Sequence, residues 1–274
     1  MHKLLTGSLT VESLQIPISG LPERLRGLRL VQLSDFHFDG MRLSEALLEE
    51  AIATANNLNP DLVLLTGDFI TDDPAPIHTL SPWLSKLQSQ YGTYAVLGNH
   101  DIRYRHSRTE VTQALDRVGV RVLWNEVAYP VGSDLALVGL ADYWSADFKP
   151  EPVFREIHDQ TPRLVLSHNP DTAEFLQHWR IDLQLSGHTH GGQVWLPGVG
   201  NLAHHLSRMY FKMPKRSRRW MPGLKECART MRHWEWAQGL HTVGGNQLYV
   251  NRGLGTYFPG RLFCPPELTL ITLA

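Results

Sequence analysis

The feature that most constrains the fold of this chain is a series of short apolar runs that each end in Asp, Asn or His. Five runs rich in Val, Leu and Ile are followed in turn by Ser34-Asp35-Phe36-His37, Thr66-Gly67-Asp68, Gly98-Asn99-His100-Asp101, Ser167-His168-Asn169-Pro170 and Ser186-Gly187-His188-Thr189-His190. Such runs are typical of buried strands. Because functional groups collect beyond the carboxyl ends of strands in open α/β sheets, we expect the five loops to form one site.

Strand and helix candidates alternate along most of the chain. Strands are predicted at 28–34, 62–66, 93–97, 135–140, 163–167 and 181–186, and helices at 43–57, 80–89, 108–118 and 172–179. Asp171 or Thr172 is placed to cap the last of these helices, with Glu174 in its first turn. Short strands at 247–250 and 268–273 follow a stretch rich in Gly and Pro. The alternation predicts an α/β architecture in which helices cover the sheets.

The loop residues have the chemistry of metal ligands. Side chains two residues apart in an extended segment share a face, so Asp35 and His37 are expected to aim at one point, as are His188 and His190. The glycines expected to leave room for sharp turns beside that point are Gly67, Gly98 and Gly187. Carboxylate, imidazole and amide ligands together suit Mn, Fe, Co or Zn, and they do not suit copper(I) or an iron–sulfur cluster.

Length and composition fit one large globular domain or two small ones, and we expect a single domain over residues 1–274. The chain is 42% hydrophobic and 19% charged, which is enough apolar material for a sizeable core. Cys227 and Cys264 lie far apart, so neither a disulfide framework nor a cysteine-rich zinc site is indicated. No apolar run approaches the roughly 20 residues of a membrane span, and the start lacks an export signal. A cytoplasmic location is therefore expected.

One segment, at about 201–238, is basic and rich in aromatic residues, and we call it the insert. It holds nine Lys or Arg and two Glu, a net charge of +7, whereas the whole chain has a net charge of −1. A helix is predicted to begin near Pro222 and to carry, on or near one face, Leu224, Cys227, Ala228, Met231 and Trp234. Basic and aromatic residues together suit peripheral contact with anionic lipid at the inner membrane, and the candidate contact residues are Trp220, Leu224 and Met231.

Three other interpretations of the insert remain open. It could form a lid over acyl chains, or it could pack its apolar face on the core and leave its charges in water. Contact with nucleic acid is the third, although no recognised nucleic-acid-binding motif is present and no specific nucleic-acid partner is indicated.

The loop motifs resemble the signature of the calcineurin-like metallophosphoesterase superfamily. The residues that match in order and spacing are Asp35-x-His37, Gly67-Asp68, Gly98-Asn99-His100-Asp101, His168 and Gly187-His188-x-His190. The longer strings LTGDF, HNPD, LSGHTHGGQ and RGLGT, with the late PPEL, resemble a bacterial branch that contains phosphodiesterases and UDP-2,3-diacylglucosamine pyrophosphatases. This resemblance implies a four-layer α-β-β-α sandwich, in which two stacked mixed β-sheets are flanked by helices.

The resemblance also implies a role for each loop residue. One divalent ion would be held by Asp35, His37 and His190, a second by Asn99, His168 and His188, and Asp68 would bridge the two. His100, beside the ligand Asn99, would lie near the leaving group as a general acid or an electrostatic stabiliser.

Arg103 and Arg105 follow the same loop and are candidates for substrate contact, because a guanidinium binds phosphate through two parallel hydrogen bonds. Solvated surface charge is the alternative interpretation of both.

We therefore expect hydrolysis of a phosphodiester or pyrophosphate bond, with a lipid-linked substrate such as UDP-2,3-diacylglucosamine, a lipid A precursor, as the most specific prediction. Two divalent ions, Mn²⁺ first and Fe, Co or Zn as alternatives, would lower the pKa of water and clamp the phosphoryl oxygens. One alternative is a general phosphodiesterase that acts on nucleotides or small diesters. Another is a non-catalytic metal-binding scaffold, which would be expected to lack some of the ligands that are all present here.

Overall fold

The structure is a computed structural model, and it describes residues 5–218 and 220–274. Its strands are β1 (Thr10–Ile16), β2 (Arg29–Leu33), β3 (Leu62–Leu65), β4 (Thr93–Ala95), β5 (Val120–Val122), β6 (Glu126–Ala128), β7 (Ala136–Gly139), β8 (Arg163–Leu166), β9 (Leu183–Ser186), β10 (Trp195–Leu196), β11 (Gly200–Asn201), β12 (Gly239–Val243), β13 (Asn246–Val250) and β14 (Glu267–Leu273). Its α-helices are α1 (Glu45–Asn57), α2 (Ile77–Leu84), α3 (Ser107–Asp116), α4 (Pro150–Arg155), α5 (Thr172–Leu176), α6 (Leu202–Lys212), α7 (Lys215–Arg218) and α8 (Pro222–Thr230).

Two mixed sheets of six strands form the centre of the molecule. The first has the order β1-β14-β2-β3-β4-β5, and only the pairing of β14 with β2 is antiparallel. The second has the order β12-β13-β9-β8-β7-β6. Its two edge strands are each antiparallel to their neighbour, β12 to β13 and β6 to β7, and its four inner strands are parallel to one another. In each sheet, the strands that precede the candidate ligands are parallel neighbours, so their carboxyl ends lie at the same edge.

Side chains alternate between the two faces of these strands and so define the layers. Leu30 and Leu64 of the first sheet pack against Leu164 and Leu185 of the second, which places the two sheets face to face. Val63 points to the opposite face, where it packs with buried residues of α1, α2 and α3. Residues of α4 and α5 cover the outer face of the second sheet in the same way. The predicted four-layer sandwich is therefore confirmed.

Most predicted elements are confirmed within a few residues, but the second helix is displaced. It was predicted at 80–89 and spans Ile77–Leu84. The reason is a contact with α1: the Asn56 side chain donates to Lys86 O at 2.8 Å and accepts from Gln88 N at 2.8 Å. These bonds hold the following residues in a turn. The edge strands β1, β5, β6 and β12 were not predicted, because edge strands carry few of the fully buried side chains on which the prediction relied.

The predicted start of the insert helix near Pro222 is confirmed by α8, but the prediction that its apolar face continues to Met231 and Trp234 is wrong. The helix ends at Thr230, and Met231 has extended backbone with a φ of −152°. Met231 and Trp234 are nevertheless buried, and they pack with Ala237 in a small cluster of their own. These side chains therefore pack within the insert itself, against Ala203 and Cys227. Within the described part of the chain, no helix is both long and apolar enough to cross a membrane.

A buried carboxylate joins the two sheets. Glu267, at the start of β14, is fully buried and accepts hydrogen bonds from Tyr249 Oη at 2.6 Å and Asn251 Nδ2 at 3.3 Å. Its other oxygen pairs with Arg252 Nε at 3.1 Å. Arg252 has a second acidic partner, Glu12, which lies 2.7 Å away and is 42% exposed.

We expect Glu267→Ala to lower the free energy of unfolding by about 3–5 kcal/mol, because it leaves a mostly buried guanidinium and a buried phenol without their shared partner. Glu12→Ala removes the exposed partner of the same arginine, and we expect it to cost less than about 1 kcal/mol. Urea unfolding of both variants measures the difference. Equal losses for the two variants would contradict the assignment of Glu267 as the link between the sheets.

Candidate metal centre

The predicted site residues lie just beyond the carboxyl ends of five parallel strands. Asp35 and His37 follow β2, Asp68 follows β3, Asn99 and His100 follow β4, His168 follows β8, and His188 and His190 follow β9. The first sheet contributes the first three strands and the second sheet the other two. The facing edges of the stacked sheets therefore bring all five loops together, as the sequence predicted.

Asp35, His37 and His190 form the first group of candidate ligands. One ligand atom from each lies within 4.8 Å of the others. His190 Nε2 is 3.1 Å from His37 Nε2 and 3.5 Å from Asp35 Oδ1. All three side chains are buried.

Asp68, His168 and His188 form the second group. Asp68 Oδ2 is 3.1 Å from His168 Nε2, which in turn is 3.2 Å from His188 Nδ1. The same carboxylate oxygen is 3.4 Å from His37 Nε2 in the first group. Asp68 therefore lies between the two groups, where a bridging ligand would be expected.

Asn99 lies beside these groups, and His100 forms a third group of possible ligand atoms with His37 and Asp68. Asn99 Oδ1 is buried and has no hydrogen-bond partner among the described residues, which is unusual for a buried amide oxygen. The backbone N–H of His100 donates to Asp68 Oδ1 at 2.9 Å, and its Nδ1 contacts the carbonyl of Thr71. A cation would give the Asn99 oxygen the partner that it lacks.

Five of the candidate ligands have left-handed backbone. The φ angles are 52° at Asp35, 43° at His37, 56° at Asp68, 73° at His188 and 50° at His190. The prediction that the Asp-x-His and His-x-His pairs each aim at one point from extended backbone is therefore wrong: Asp35 and His37 do converge in the first group, but His188 and His190 belong to different groups. Such conformations cost of order 1–3 kcal/mol each in residues other than Gly, and they cluster at functional sites where the surroundings enforce them.

Asp101 holds the loops after β3 and β4 in place. Its fully buried carboxylate accepts four backbone hydrogen bonds, of 2.8–3.2 Å, from the N–H groups of Asp68, Phe69, Ile70 and Gly98. It thereby fixes the backbone that carries Asp68. No role was predicted for this residue, although it closes the Gly98-Asn99-His100-Asp101 motif.

The glycines of the motifs leave no room for a side chain. A Cβ at Gly98 would lie 2.1 Å from Asp68 Oδ1, and one at Gly187 would lie 2.2 Å from Asp35 Oδ2. A Cβ at Gly67, whose φ is +95°, would lie 2.6 Å from Gly98 N. The predicted need for small residues at these turns is confirmed, since any larger residue would displace a candidate ligand.

The imidazoles are oriented by backbone carbonyls. His168 Nδ1 donates to Thr66 O at 2.7 Å, His188 Nε2 to Thr230 O at 2.9 Å, and His190 Nδ1 to Gly255 O at 3.0 Å. Because a carbonyl can only accept, the other nitrogen of each ring faces the site, and in the neutral ring it carries a lone pair directed there. Such outer contacts are typical of histidines that bind metal ions.

The nitrogens that face the site lie close to one another, 3.2 Å apart between His168 and His188 and 3.1 Å apart between His190 and His37. When both nitrogens of a pair are unprotonated, their lone pairs repel, and a proton or a metal ion between them removes that repulsion. Two carboxylates lie in the same space, so the donor set and its charge fit divalent cations.

The pKa values of three candidate ligands, His168, His188 and His190, also indicate that the site favours positive charge. Burial alone would lower the pKa of His168, but the neighbouring carboxylates, first that of Asp68 and then those of Asp35 and Asp142, together outweigh burial and raise that pKa to about 10. Burial lowers the pKa of His188 to about 4 and that of His190 to about 3, the latter helped by the guanidinium of Arg261. His188 and His190 are therefore neutral near pH 7, and a bound cation would replace the proton that His168 otherwise holds.

A cavity of about 520 Å³ opens onto this site. His100, Asn99, Arg103 and Trp144 line it on one side, and Tyr257 lines it beside the first ligand group. The insert contributes Ala203, Cys227, Thr230 and Trp234 to its lining. Trp144 and Tyr257 were not predicted as site residues, because they come from loops that carry no ligand.

Of the two arginines predicted to contact substrate, Arg103 lies on the cavity wall, where its guanidinium pairs with Asp72 at 2.7 Å. Arg105 is exposed and is not among the residues that line the cavity.

The insert is joined to the site by Asp171. This residue occupies the N-cap position of α5, as predicted, but its side chain makes no capping hydrogen bond. The carboxylate instead accepts from Arg232 N at 2.8 Å and His233 N at 3.0 Å, just after α8. The insert is therefore fastened at its base to the loop that follows the candidate ligand His168.

The three predicted lipid-contact residues lie at different depths. Trp220 is 73% exposed, Leu224 is partly buried, and Met231 is 1% exposed. Met231 packs inward, so it does not form part of the insert surface.

Comparison with known proteins agrees with this geometry. A model of the calcineurin-like phosphoesterase domain matches residues 28–192. The chain is 32% identical over 250 residues to phosphodiesterase YaeI of Escherichia coli (strain K12), covering 89% of this chain and 82% of that protein. It is 30% identical to the uncharacterized metallophosphoesterase YkuE of Bacillus subtilis (strain 168), covering 99% and 86%. It is 27% identical to the UDP-2,3-diacylglucosamine pyrophosphatase LpxG of Chlamydia muridarum (strain MoPn / Nigg), covering 90% and 84%.

We expect the purified chain to retain two divalent ions after incubation with Mn²⁺ and desalting. We expect His168→Ala to retain one or none, because this variant removes a donor beside the carboxylate of Asp68. Cys227→Ser is the matched control: it lines the same cavity but belongs to neither ligand group. Inductively coupled plasma mass spectrometry gives the stoichiometry. Two ions retained by His168→Ala would show that the ligand assignment is wrong.

Proposed function

The chain belongs to the calcineurin-like phosphoesterase family, and we propose that this metallophosphoesterase hydrolyses a phosphodiester or pyrophosphate bond in a lipid-linked substrate. UDP-2,3-diacylglucosamine is the most specific candidate. The observation that carries the proposal is the contact between the two ligand groups at Asp68, whose carboxylate oxygen lies 3.4 Å from His37 Nε2 of the first group and 3.1 Å from His168 Nε2 of its own. This contact lies at the lining of a cavity that is partly walled by the basic insert. The similarity to YaeI supports a phosphodiester and that to LpxG supports the lipid-linked pyrophosphate.

We assign the ligands as two sets with one bridge. Asp35, His37 and His190 would hold one ion, Asn99, His168 and His188 the other, and Asp68 both. The distances within each group support this division, as does the Asn99 oxygen, which has no hydrogen-bond partner in the described part of the chain. Mn²⁺ is the proposed ion, and Fe, Co and Zn accept the same donors.

The bound ions would supply Lewis-acid polarisation of the phosphoryl oxygens and an acidified water. The chain itself would supply proton transfer at the leaving group. His100 lines the cavity, and its Nδ1 donates to the Thr71 carbonyl, so Nε2 is the nitrogen that would carry the second proton of an imidazolium and donate it to the leaving oxygen. General acid catalysis of this kind contributes about 10²–10⁴-fold to the rate. Arg103, on the same wall, would bind a phosphate oxygen.

The insert would contact the membrane from the cytoplasmic side, as a peripheral attachment at the inner membrane. Its exposed apolar side chains are Met209, Phe211, Trp220 and Met221. They lie among exposed cations that include Arg208, Lys212, Lys215 and Arg216. An apolar surface ringed by cations suits an interface with anionic lipid, to which each well-placed cation contributes about 1 kcal/mol.

A general phosphodiesterase that acts on nucleotides or small diesters is the second candidate. Trp144 favours it, because this side chain lines the cavity, is 52% exposed and has its ring 5.1 Å from that of His188. An open indole face at this place could stack on a nucleobase. The same contact would also suit the uracil of a UDP-linked lipid.

Hydrolysis of UDP-2,3-diacylglucosamine and of bis(p-nitrophenyl) phosphate, each with Mn²⁺ or with chelator, tests the proposed function. We expect the wild type to cleave both substrates only when metal is present, and Asn99→Ala to cleave neither. We expect kcat to fall by about 10²–10⁴-fold in His100→Asn. Arg121→Ala, an exposed residue of β5, is the control and should leave both rates unchanged. Cleavage of the soluble diester alone would favour the second candidate, and turnover of neither would contradict the enzyme assignment.

Vesicle flotation tests the membrane contact. We expect the chain to float with vesicles that contain phosphatidylglycerol, to float less at high salt because exposed charges are screened, and to float less after Trp220→Ser. Tyr129→Ser, at a 44% exposed aromatic residue outside the insert, is the matched control. Equal binding to neutral vesicles, or equal losses in the two variants, would contradict a contact through the insert.

A further inference from the structure

A second depression, outside the catalytic cavity, is lined mainly by apolar side chains. Its volume is about 410 Å³, and its lining residues are Leu5, Thr6, Met41, Arg42, Thr256, Tyr257 and Phe258. We call it the apolar groove. It belongs neither to the insert nor to the ligand groups described above.

The walls of the apolar groove are fixed by hydrogen bonds between distant segments. Thr256 N donates to Arg42 O at 3.0 Å, and Arg261 N donates to Leu5 O at 2.6 Å. The guanidinium of Arg261 also donates to Gly253 O at 3.0 Å and to Gly255 O at 2.7 Å, which holds the loop that carries Phe258. A ligand would therefore enter a largely preformed site and would not have to order these segments.

The apolar side chains of this groove are unusually exposed for residues on such a well-held backbone. Phe258 is 93% exposed, Met41 73% and Leu5 41%. Single exposed apolar residues are common, but several around one depression mark a surface that binds something apolar.

Tyr257 is the wall between the apolar groove and the catalytic cavity, since it lines both. Its Oη lies 3.0 Å from Nδ1 of the candidate ligand His37, and its ring lies 4.4 Å below the guanidinium of Arg42. A molecule with its phosphate at the ligand groups therefore has to cross only one tyrosine side chain to reach the groove.

The charge in the groove wall is compensated. Arg42 forms an ion pair with Asp39, which also accepts a hydrogen bond from Thr71 Oγ1 at 3.0 Å. The groove consequently offers an apolar surface beside a neutralised ion pair, which suits a hydrocarbon chain better than a second phosphate.

We propose that the apolar groove binds a hydrocarbon chain of the substrate, attached close to the phosphate that is cleaved. This inference rests on the proposed function, which it deepens by placing the acyl part of a lipid-linked substrate. It predicts that the enzyme discriminates between phosphoesters by the length of an alkyl chain.

Isothermal titration of the Mn²⁺-loaded full chain with butyl phosphate and decyl phosphate, both below their critical micelle concentrations, tests the proposal without turnover. We expect decyl phosphate to bind at least tenfold more tightly, because the longer chain buries apolar surface in the groove. Met41→Asp should remove most of that gain, whereas Met41→Leu should keep it. Phe263→Asp is the matched control, because Phe263 is 69% exposed in the same loop region but does not line the groove.

Two results would overturn the proposal. One is the absence of any gain with chain length in the wild type. The other is a gain in affinity for decyl phosphate that survives Met41→Asp. If that gain were lost in Trp220→Ser instead, the hydrocarbon chain would bind at the insert. If UDP-2,3-diacylglucosamine is not cleaved, the lipid-linked function fails, but the titration still decides whether the groove binds alkyl chains.

Discussion

The carboxylate of Asp68 lies within 3.1–3.4 Å of imidazoles that come from both sheets. It is buried, its other oxygen accepts a backbone hydrogen bond from His100, and the backbone around it is held by Asp101. A buried carboxylate is costly to maintain without positive charge beside it, whether that charge is a proton on His168 or a bound cation. The rest of the site is organised around this need. Loops from two separate sheets converge, and the glycines in them leave no room for a side chain at those positions. Backbone carbonyls accept from the outward-facing ring nitrogens and so orient the imidazoles.

The strain in the ligand loops has the same origin. Five residues other than Gly adopt left-handed backbone within one small site. Local preference alone would not select these conformations. They persist because the surrounding contacts determine them, as with Asp35, whose carboxylate accepts from His188 N at 3.0 Å while its backbone N donates to Gly67 O at 2.9 Å. The stacked sheets are thus rigid supports for strained loops, and the buried network around Glu267 keeps the two sheets in register.

Under the proposed function, substrate selection and catalysis would lie on different parts of the chain. The insert lines one side of the cavity and is tied to the centre twice, through Asp171 and through the bond from His188 to the Thr230 carbonyl. The apolar groove lies beyond Tyr257, on the side of the first ligand group. This division would allow one metal centre to serve different phosphoesters, because the surfaces that contact the rest of the substrate come from segments that carry no ligand.

The sequence by itself determined the alternation of strands and helices and the positions that require glycine, and it predicted the candidate ligands at the strand ends. These features are local: a buried strand shows in a run of apolar residues, and a ligand loop in the few residues that follow it. The displaced second helix, the left-handed loops, the engagement of Asp171 with the insert and the shared wall at Tyr257 could not be predicted in this way. Each depends on contacts between residues far apart in the chain, as in the 220 positions that separate His37 from Tyr257. Only the tertiary structure decided them, because the free energy of packing and of hydrogen bonds between distant segments outweighed the local preferences of the backbone.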